Sequence, residues 1–575
     1  VSQGNAEEDG VTKRTQPRKL SNYIPILGWL PHYQPAWLTA DLMAGLSVWA
    51  LLVPQGIAYS SIVGVPPQYG LYTALAALVG YAIFGTSRHL ITGPSATVAA
   101  VSFSVIGLLS TDPQSTDWVS LTAALAAVTG LVYILLGLLR MGWISNFLST
   151  AVLEGFIFAF GIGLIVDQSH KIFGVPKVDG SYWQVLVGTL QELPQTNLYT
   201  LAVGAAAIVF LLLMRRYLPR WPRALIVVVL GILLATVVPL NAGYGVKIVG
   251  PVPTGLPSVA LPAIPWSDIS TLLLGALAVV FVGFSETLAA ARNAAAKHGY
   301  EIDVSQEMVA QGAATGAASL LGGYVVDGSL SKTTVADMAG QKTQMASLLT
   351  ALLILLTVLF LAGLFTNLPE AVLGAVVIDA AIGLVKLPVL TRVKNTSSLD
   401  FAAFVAAGLG LFFIGVLAGV VVGVILSLLL LIWKASKAPV HRLGYDAQEN
   451  VYVDVEKHPA AVQNDGIVVA ALAGPLFFAD AAPFRQSVLD MVDGQTHAVV
   501  IDLGSTNLID MDGAEVLTRL HEELERKQVK VVLARVADSE LAILGKTGTL
   551  AAIGPDHVYL TVRDAVAALQ GRATA

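Results

Sequence analysis

From about Asp41 to Trp433 the chain is a succession of apolar stretches separated by short polar loops. A helix rises 1.5 Å per residue, so roughly 20 apolar residues cross a bilayer. Runs of that order occur at 119–139, 200–217, 269–290, 345–363 and 398–433, the last long enough for two spans hinged near Gly415. Eight further runs are shorter or carry small and polar residues: 41–62, 69–85, 94–110, 149–167, 222–239, 304–322, 329–340 and 369–385. The pattern predicts an α-helical polytopic membrane protein of fourteen segments over 37–437, preceded by a cytoplasmic segment, 1–36. Beyond Lys437 the periodicity changes. Strand-like runs begin at Gly466, His497 and Val529, and 482–493, 512–527 and 538–547 repeat apolar residues at helical spacing. That alternation predicts a cytoplasmic α/β domain over 438–575. Its sequence has no Gly-rich phosphate loop, metal-ligand spacing or nucleophile elbow, so regulation or assembly is expected of it rather than catalysis.

Charge tests the segment count, because Lys and Arg accumulate in cytoplasmic loops. With fourteen spans and a cytoplasmic N-terminus, all 22 Lys and Arg before residue 438 fall inside except Lys171, Lys177 and Lys247, outside, and Lys332, within a segment. Only 13% of the 575 residues are charged and the formal net charge is −6, so no polycationic surface exists and no nucleic-acid partner is expected. The chain has no cysteine, which excludes disulfides, thiolate metal sites and cysteine nucleophiles. The residues before the first apolar run include Pro17, Pro25, Pro31 and Pro35, so no cleavable signal peptide is expected.

Polar residues inside apolar segments are costly and mark sites. Gly328-Ser-Leu-Ser-Lys-Thr-Thr opens a segment too short to cross, which reads as a half-helix starting at mid-membrane and capped by Ser329 or Ser331. Free N–H groups and the positive end of its dipole suit an anion, and Lys332 adds a full charge. Thr92-Gly-Pro-Ser-Ala-Thr is a second such start, with Pro94 suited to a first helical turn. These are the third and tenth segments, the spacing that an inverted repeat of seven plus seven produces around one midplane site. The anion is expected between the backbone N–H groups of Ser95, Ala96 and Thr97 and those of Ser331, Lys332 and Thr333. Gln55 can donate to an oxyanion from its side chain without carrying charge, and Tyr59 lies one turn on from it. Glu286, in the eighth segment, is the candidate proton carrier, since a carboxylate in low dielectric takes a proton unless a cation is near. Its other reading is a static ion pair with Lys332. Glu154 and Asp379 read as hydrated or helix-paired carboxylates, and Asp337 as a neutraliser of nearby positive charge.

Val53-Pro-Gln-Gly-Ile-Ala-Tyr, Gly64-Val-Pro-Pro-Gln-Tyr-Gly-Leu-Tyr and Gly85-Thr-Ser-Arg-His together resemble the SulP sulfate-permease family. That family includes plant and bacterial sulfate carriers and the animal proteins pendrin and prestin. Lys297-His-Gly-Tyr-Glu-Ile-Asp, Gln306-Glu and Gly328-Ser-Leu-Ser-Lys fit its second half, and the resemblance runs from about residue 36 to the end. The tail resembles a STAS domain through Gly474-Pro-Leu-Phe-Phe-Ala-Asp, Val500-Ile-Asp-Leu and Ile509-Asp-Met-Asp-Gly-Ala-Glu. The resemblance implies a uracil-permease-like fold of core and gate domains, usually dimeric, with the anion between segments three and ten. It puts Gln55 and Tyr59 on pocket positions, makes Ser331 the anion-contacting serine, and sets Lys332 where prestin has arginine. Glu286 matches the carboxylate of plant-type proton-coupled carriers. Two departures matter: Gln55 replaces a glutamate of some bacterial members, and Ser95 replaces a bulky apolar residue of prestin. The first puts coupling by that position out, and the second makes the pocket more polar, which suits a hydrated or divalent oxyanion over chloride. In the tail, Asp510-Met511-Asp512-Gly513 stands where anti-sigma antagonists carry a phosphorylatable serine, so a phosphoswitch is not expected there.

The resulting expectation is a secondary transporter, not an enzyme, that takes up sulfate with protons by alternating access across the cell membrane as a homodimer. No cofactor is expected beyond the proton gradient, with sodium as the alternative coupling ion and Thr287 as its extra ligand. The rival readings are sodium-coupled bicarbonate or proton-coupled C4-dicarboxylate transport, an anion channel or voltage-responsive element, and a membrane-tethered signalling protein.

Overall fold

The computed structural model describes residues 20–110, 116–143, 149–219, 221–436 and 439–571. Lys13, Arg14, Arg18, Lys19, Arg220 and Lys437, all assigned above to the inner side, lie outside the described residues, as does most of the segment 1–36. The chain divides into two compact units, Val1–Ser427 and Leu428–Ala575.

Each of the fourteen expected segments holds a helix. They are α1 (Leu38–Val63), α2 (Pro67–Phe84), α3 (Ala96–Ile106), α4 (Thr116–Leu138), α5 (Thr150–Phe173), α6 (Leu198–Tyr217) and α7 (Arg223–Val237). The second set is α8 (Ile269–His298), α9 (Val304–Leu320), α10 (Leu330–Met338), α11 (Met345–Leu356), α12 (Glu370–Leu384), α13 (Ser398–Ile414) and α14 (Val416–Ala435). Among the described residues, eight helical stretches are long and apolar enough to cross a membrane, while α3, α7 and α13 are shorter apolar helices. α4 shows why the surrounding medium is apolar: Leu131, Leu135 and Leu138 are more than half exposed on one side, while Ala123 and Ala124 are buried on the other. α11 continues through a wider turn at Thr357–Leu361 and a tight one at Ala362–Asn367. The long apolar run 398–433 breaks at Gly415, whose φ of 128° only glycine adopts without strain. Helices at Tyr182–Glu192 and Leu387–Thr396 lie between runs, and the apolar count had passed over both.

The helices of the first unit sort into two packed groups. α1–α4 pack with α8–α11, and α5–α7 pack with α12 and α13; the groups meet where α1 lies against α7 and α12. α4 and α9 approach closely because glycines face each other: a Cβ on Gly312 would stand 2.7 Å from the Gly130 carbonyl oxygen. Small residues of this kind let membrane helices touch backbone to backbone. Buried carboxylates pin the loops. Glu307, at the start of α9, accepts from the Tyr81 hydroxyl (2.6 Å), the Thr86 N–H (2.8 Å) and the Ser87 N–H (2.9 Å). Asp41 accepts from the Lys342 N–H (2.7 Å) and the Thr343 hydroxyl (2.8 Å), holding the loop after α10.

Two short strands organise the centre of this unit. β1 (Thr92–Gly93) pairs antiparallel with β2 (Asp327–Gly328), with Thr92 opposite Gly328 and Gly93 opposite Asp327. Each strand runs directly into a half-helix, β1 into α3 and β2 into α10.

The second unit has β3 (Val440–Asp446), β4 (Val451–Asp454), β5 (Ile467–Leu472), β6 (Ala498–Asp502), β7 (Lys530–Ala534) and β8 (Val558–Tyr559) in one sheet of order β4-β3-β5-β6-β7-β8. β5 to β8 are parallel, and β3 joins β5 antiparallel. Alternate residues face opposite sides, as strand geometry dictates. Val468, Val499, Ile501 and Leu533 pack with Phe484 of α15 (Ala481–Asp490) and Leu517 of α16 (Met511–Arg526). Val469, Val500 and Val532 pack instead with Val562 and Val566 of the last helix. The three strands and three helices read from the sequence are present, with β3, β4 and β8 added at the edges. Asp510 caps α16, accepting from the Gly513 N–H (2.8 Å) and the Phe478 N–H (3.0 Å), and Met511 and Asp512 stand exposed in its first turn.

Candidate anion site

The β1–β2 ladder places the N-termini of α3 and α10 beside each other at the centre of the first unit. The first helical bond of α3 is from the Ala99 N–H to the Ser95 carbonyl (3.1 Å), so the N–H groups of Ala96, Thr97 and Val98 precede the helical ladder. In α10 the corresponding bond is from the Thr333 N–H to the Ser329 carbonyl (3.0 Å), and the Ser329 hydroxyl caps the Lys332 N–H at 3.4 Å. Ser329 is therefore the cap, and Ser331 is not. Thr333 departs from the expectation that its N–H holds the anion, because its N–H is spent within α10 and its hydroxyl accepts from the Ile91 N–H at 3.0 Å. It braces one half-helix against the loop leading to the other. A second brace is Ser329, whose N–H donates to the Ile91 carbonyl at 3.1 Å.

The side chains form a connected set. Ser95 donates to Asp327 Oδ2 (2.7 Å), and Thr97 donates to Glu286 Oε1 (3.1 Å). The Lys332 ammonium is buried and donates to the Pro94 carbonyl at 2.5 Å. No ion pair within 4.0 Å joins Lys332 to Glu286 among the described residues, so the static pair considered from the sequence is not formed. The carboxylates whose fields act on Lys332 are Asp327 first and Glu286 second. Gln55 and Tyr59 are buried on α1 just after Pro54, which removes a helical donor at that turn. Ser331 lies exposed with its hydroxyl 3.0 Å from that of Ser329. Thr287 is committed to structure, accepting from the Gly328 N–H (2.8 Å) and donating to the Gly283 carbonyl (2.7 Å).

Asp379 and Asp337 lie apart from this set in bonded pairs. Asp379 pairs with Arg223 at 2.8 Å, and Asp337 with Lys297 at 2.5 Å and His298 at 2.7 Å. Asp379 is thus a paired carboxylate and Asp337 lies against two basic side chains, while Glu154 is half-buried on α5. Asp327 had not been singled out. It directly precedes a glycine, so it reads as a turn residue, and only its pairing with Gly93 reveals a place in the site.

Discontinuous helices whose N-termini meet inside a helical unit are a transporter architecture. The fold and site thus define a broken-helix membrane protein of transporter architecture joined to a separate α/β domain. The sulfate permease family model matches residues 38–407, and the STAS domain model matches residues 458–565. The chain belongs to the sulfate permease family, a family of anion transporters, and carries a STAS domain. It is 32% identical over 557 residues to a protein of Mycobacterium tuberculosis (strain ATCC 25618 / H37Rv) named as a probable sulfate transporter, covering 95% of this chain and 99% of that one. It is 27% identical to the chloroplastic sulfate transporter 4.1 of Arabidopsis thaliana, covering 97% of this chain and 84% of that one. Among solved structures it matches the murine Solute Carrier 26 family member A9 anion transporter in the inward-facing state. The TM-score is 0.89 at 26% identity, covering 98% of this chain and 97% of that one.

Proposed function

We propose that the chain takes up sulfate with protons by alternating access, acting as a homodimer in the cell membrane with its N-terminus and STAS domain in the cytoplasm. The observation that carries the reading is the β1–β2 ladder, which joins two half-helix N-termini and a buried lysine around one centre. Backbone N–H groups of Ala96, Thr97 and Ser331, with the Ser331 and Gln55 side chains, would hold the oxyanion. Lys332 supplies positive field and Tyr59 lines the same pocket. Sulfate is favoured by the names of the relatives, above all the mycobacterial protein, which the match covers almost end to end. Proton coupling is favoured by Glu286, which stands within the set yet has a hydroxyl, not a cation, as its hydrogen-bond partner. The packing of helices into two groups supports a rocking motion of one group on the other, with α1 at the boundary.

Uptake of radiolabelled sulfate, bicarbonate and fumarate into proteoliposomes, under separately imposed proton and sodium gradients, tests the reading. Sulfate accumulation driven by an inward proton gradient is expected. Accumulation driven by sodium alone, or of bicarbonate or fumarate in preference, overturns it. Ser331→Trp should abolish uptake in a protein that still purifies as a single species; full uptake would mean that the anion sits elsewhere.

A further inference from the structure

The geometry points to a second proton-binding site at Asp327, which works with Glu286 so that each sulfate dianion travels with two protons. This rests on the proton-coupled reading above and deepens it.

Asp327 is fully buried and stands at the start of β2, opposite Gly93. Its Oδ2 accepts from the Ser95 hydroxyl at 2.7 Å, but its Oδ1 is buried and meets no hydrogen-bond donor. A buried carboxylate oxygen without a donor is among the costliest arrangements a protein can hold in ionised form. The nearest remedy would be Lys332, five residues on, yet that ammonium is turned to the Pro94 carbonyl. No ion pair within 4.0 Å joins Lys332 and Asp327 among the described residues. The charged and titratable groups facing Asp327 are Glu286 from α8, Lys332 from α10, Tyr133 from α4 and Tyr59 from α1. Lys332 is the one cation acting on Asp327, Lys386 acts on Glu286 after Lys332, and Glu286 has the same sign as Asp327. A proton on Oδ1 removes the charge and leaves the Ser95 bond to Oδ2 intact.

Charge counting then links the protons to the anion. With both carboxylates ionised, Lys332 is outweighed by one negative charge, and an arriving dianion meets a pocket of its own sign. With both protonated, Lys332 faces the dianion alone. Binding of the dianion and of the two protons is mutually favourable, and linkage requires each to tighten the other. Two protons also neutralise the sulfate carried, so the loaded step moves no net charge. One carboxylate cannot do this.

The test uses the full chain in proteoliposomes, with an inward proton gradient and a membrane potential clamped by potassium and valinomycin. Wild-type sulfate accumulation should be unchanged by the clamped potential. Asp327→Asn keeps an acceptor for Ser95 and copies the neutral state of the loaded carrier, so it should retain measurable sulfate exchange. It should carry one proton fewer, and its accumulation should fall about tenfold for each ~60 mV of inside-negative potential. An Asp327→Asn protein whose accumulation ignores the potential overturns the inference, and so does one that has lost exchange. Wild-type uptake that follows the pH gradient but is opposed by inside-negative potential overturns the inference alone. Wild-type uptake that ignores the pH gradient overturns the coupling reading and the inference with it.

Discussion

The buried Lys332 ammonium donates to the Pro94 carbonyl at 2.5 Å, tying the first turn of α10 to the residue before the cap of α3. The bond spans 238 positions of sequence and fixes the distance between the two half-helix N-termini. It also sets a full positive charge behind the free N–H groups of both.

Lys332→Met keeps the length of the side chain and removes both roles. A buried charge-assisted bond contributes about 1.5–3 kcal/mol. The Michaelis constant for sulfate is therefore expected to rise at least about tenfold, as read by initial rates in proteoliposomes. Lys332→Arg should recover part of the loss, because the charge returns with a different shape.

The close approach of α4 and α9 predicts a size limit at Gly312 that its neighbour Gly316 does not share. A Cβ on Gly312 meets the Gly130 carbonyl oxygen at 2.7 Å, whereas one on Gly316 meets nothing within 4 Å. Gly312→Leu should cost about 3 kcal/mol or more through forced separation of the helices. Thermal unfolding of the purified protein should show a large fall for Gly312→Leu and little change for Gly316→Ala.

His89, in the loop between α2 and β1, stacks on His298 with ring centroids 4.0 Å apart, and its Nδ1 lies 3.2 Å from the Tyr300 hydroxyl. Burial, and then the neighbouring His298, pushes the His89 imidazole down from 6.5 to about 4. The unfolded chain therefore takes up a proton at higher pH than the folded one. Stability should hold above pH 6.5 and fall as the pH drops from there towards 4, by on the order of 2 kcal/mol. Melting temperatures measured across that range should fall less steeply for His89→Gln than for the wild type.

The helices were legible in the sequence because lipid demands a continuous apolar run, and such a run needs no knowledge of its neighbours. The half-helices were legible for the opposite reason: Gly-Pro-Ser and Gly-Ser-Leu-Ser-Lys interrupt runs that ought to continue. Partners were the hidden part. Asp41 and Glu307 are separated from the loops they pin by more than 200 positions, and nothing local distinguishes them from exposed acids. Thr333 reads as a pocket candidate from its place beside Ser331 and Lys332, yet the loop at Ile91 claims its hydroxyl. In the second unit the central strands were clear from their unbroken Val and Ile runs. β3 and β4, less completely buried, carry polar residues that blur the pattern.

The ladder between Thr92–Gly93 and Asp327–Gly328 also bears on how the protein is made. Ribosomes add about 5–20 residues per second, so α3 emerges on the order of ten to fifty seconds before its partner strand exists. Throughout that interval the N–H groups at its start have no ladder, no lysine clamp and no facing half-helix. The nascent first half must be sheltered, by water, a chaperone or the insertion machinery, until the tenth helix arrives. Substitutions in β2 that spare the finished protein can then still lower its yield, because they slow the pairing that ends this exposure.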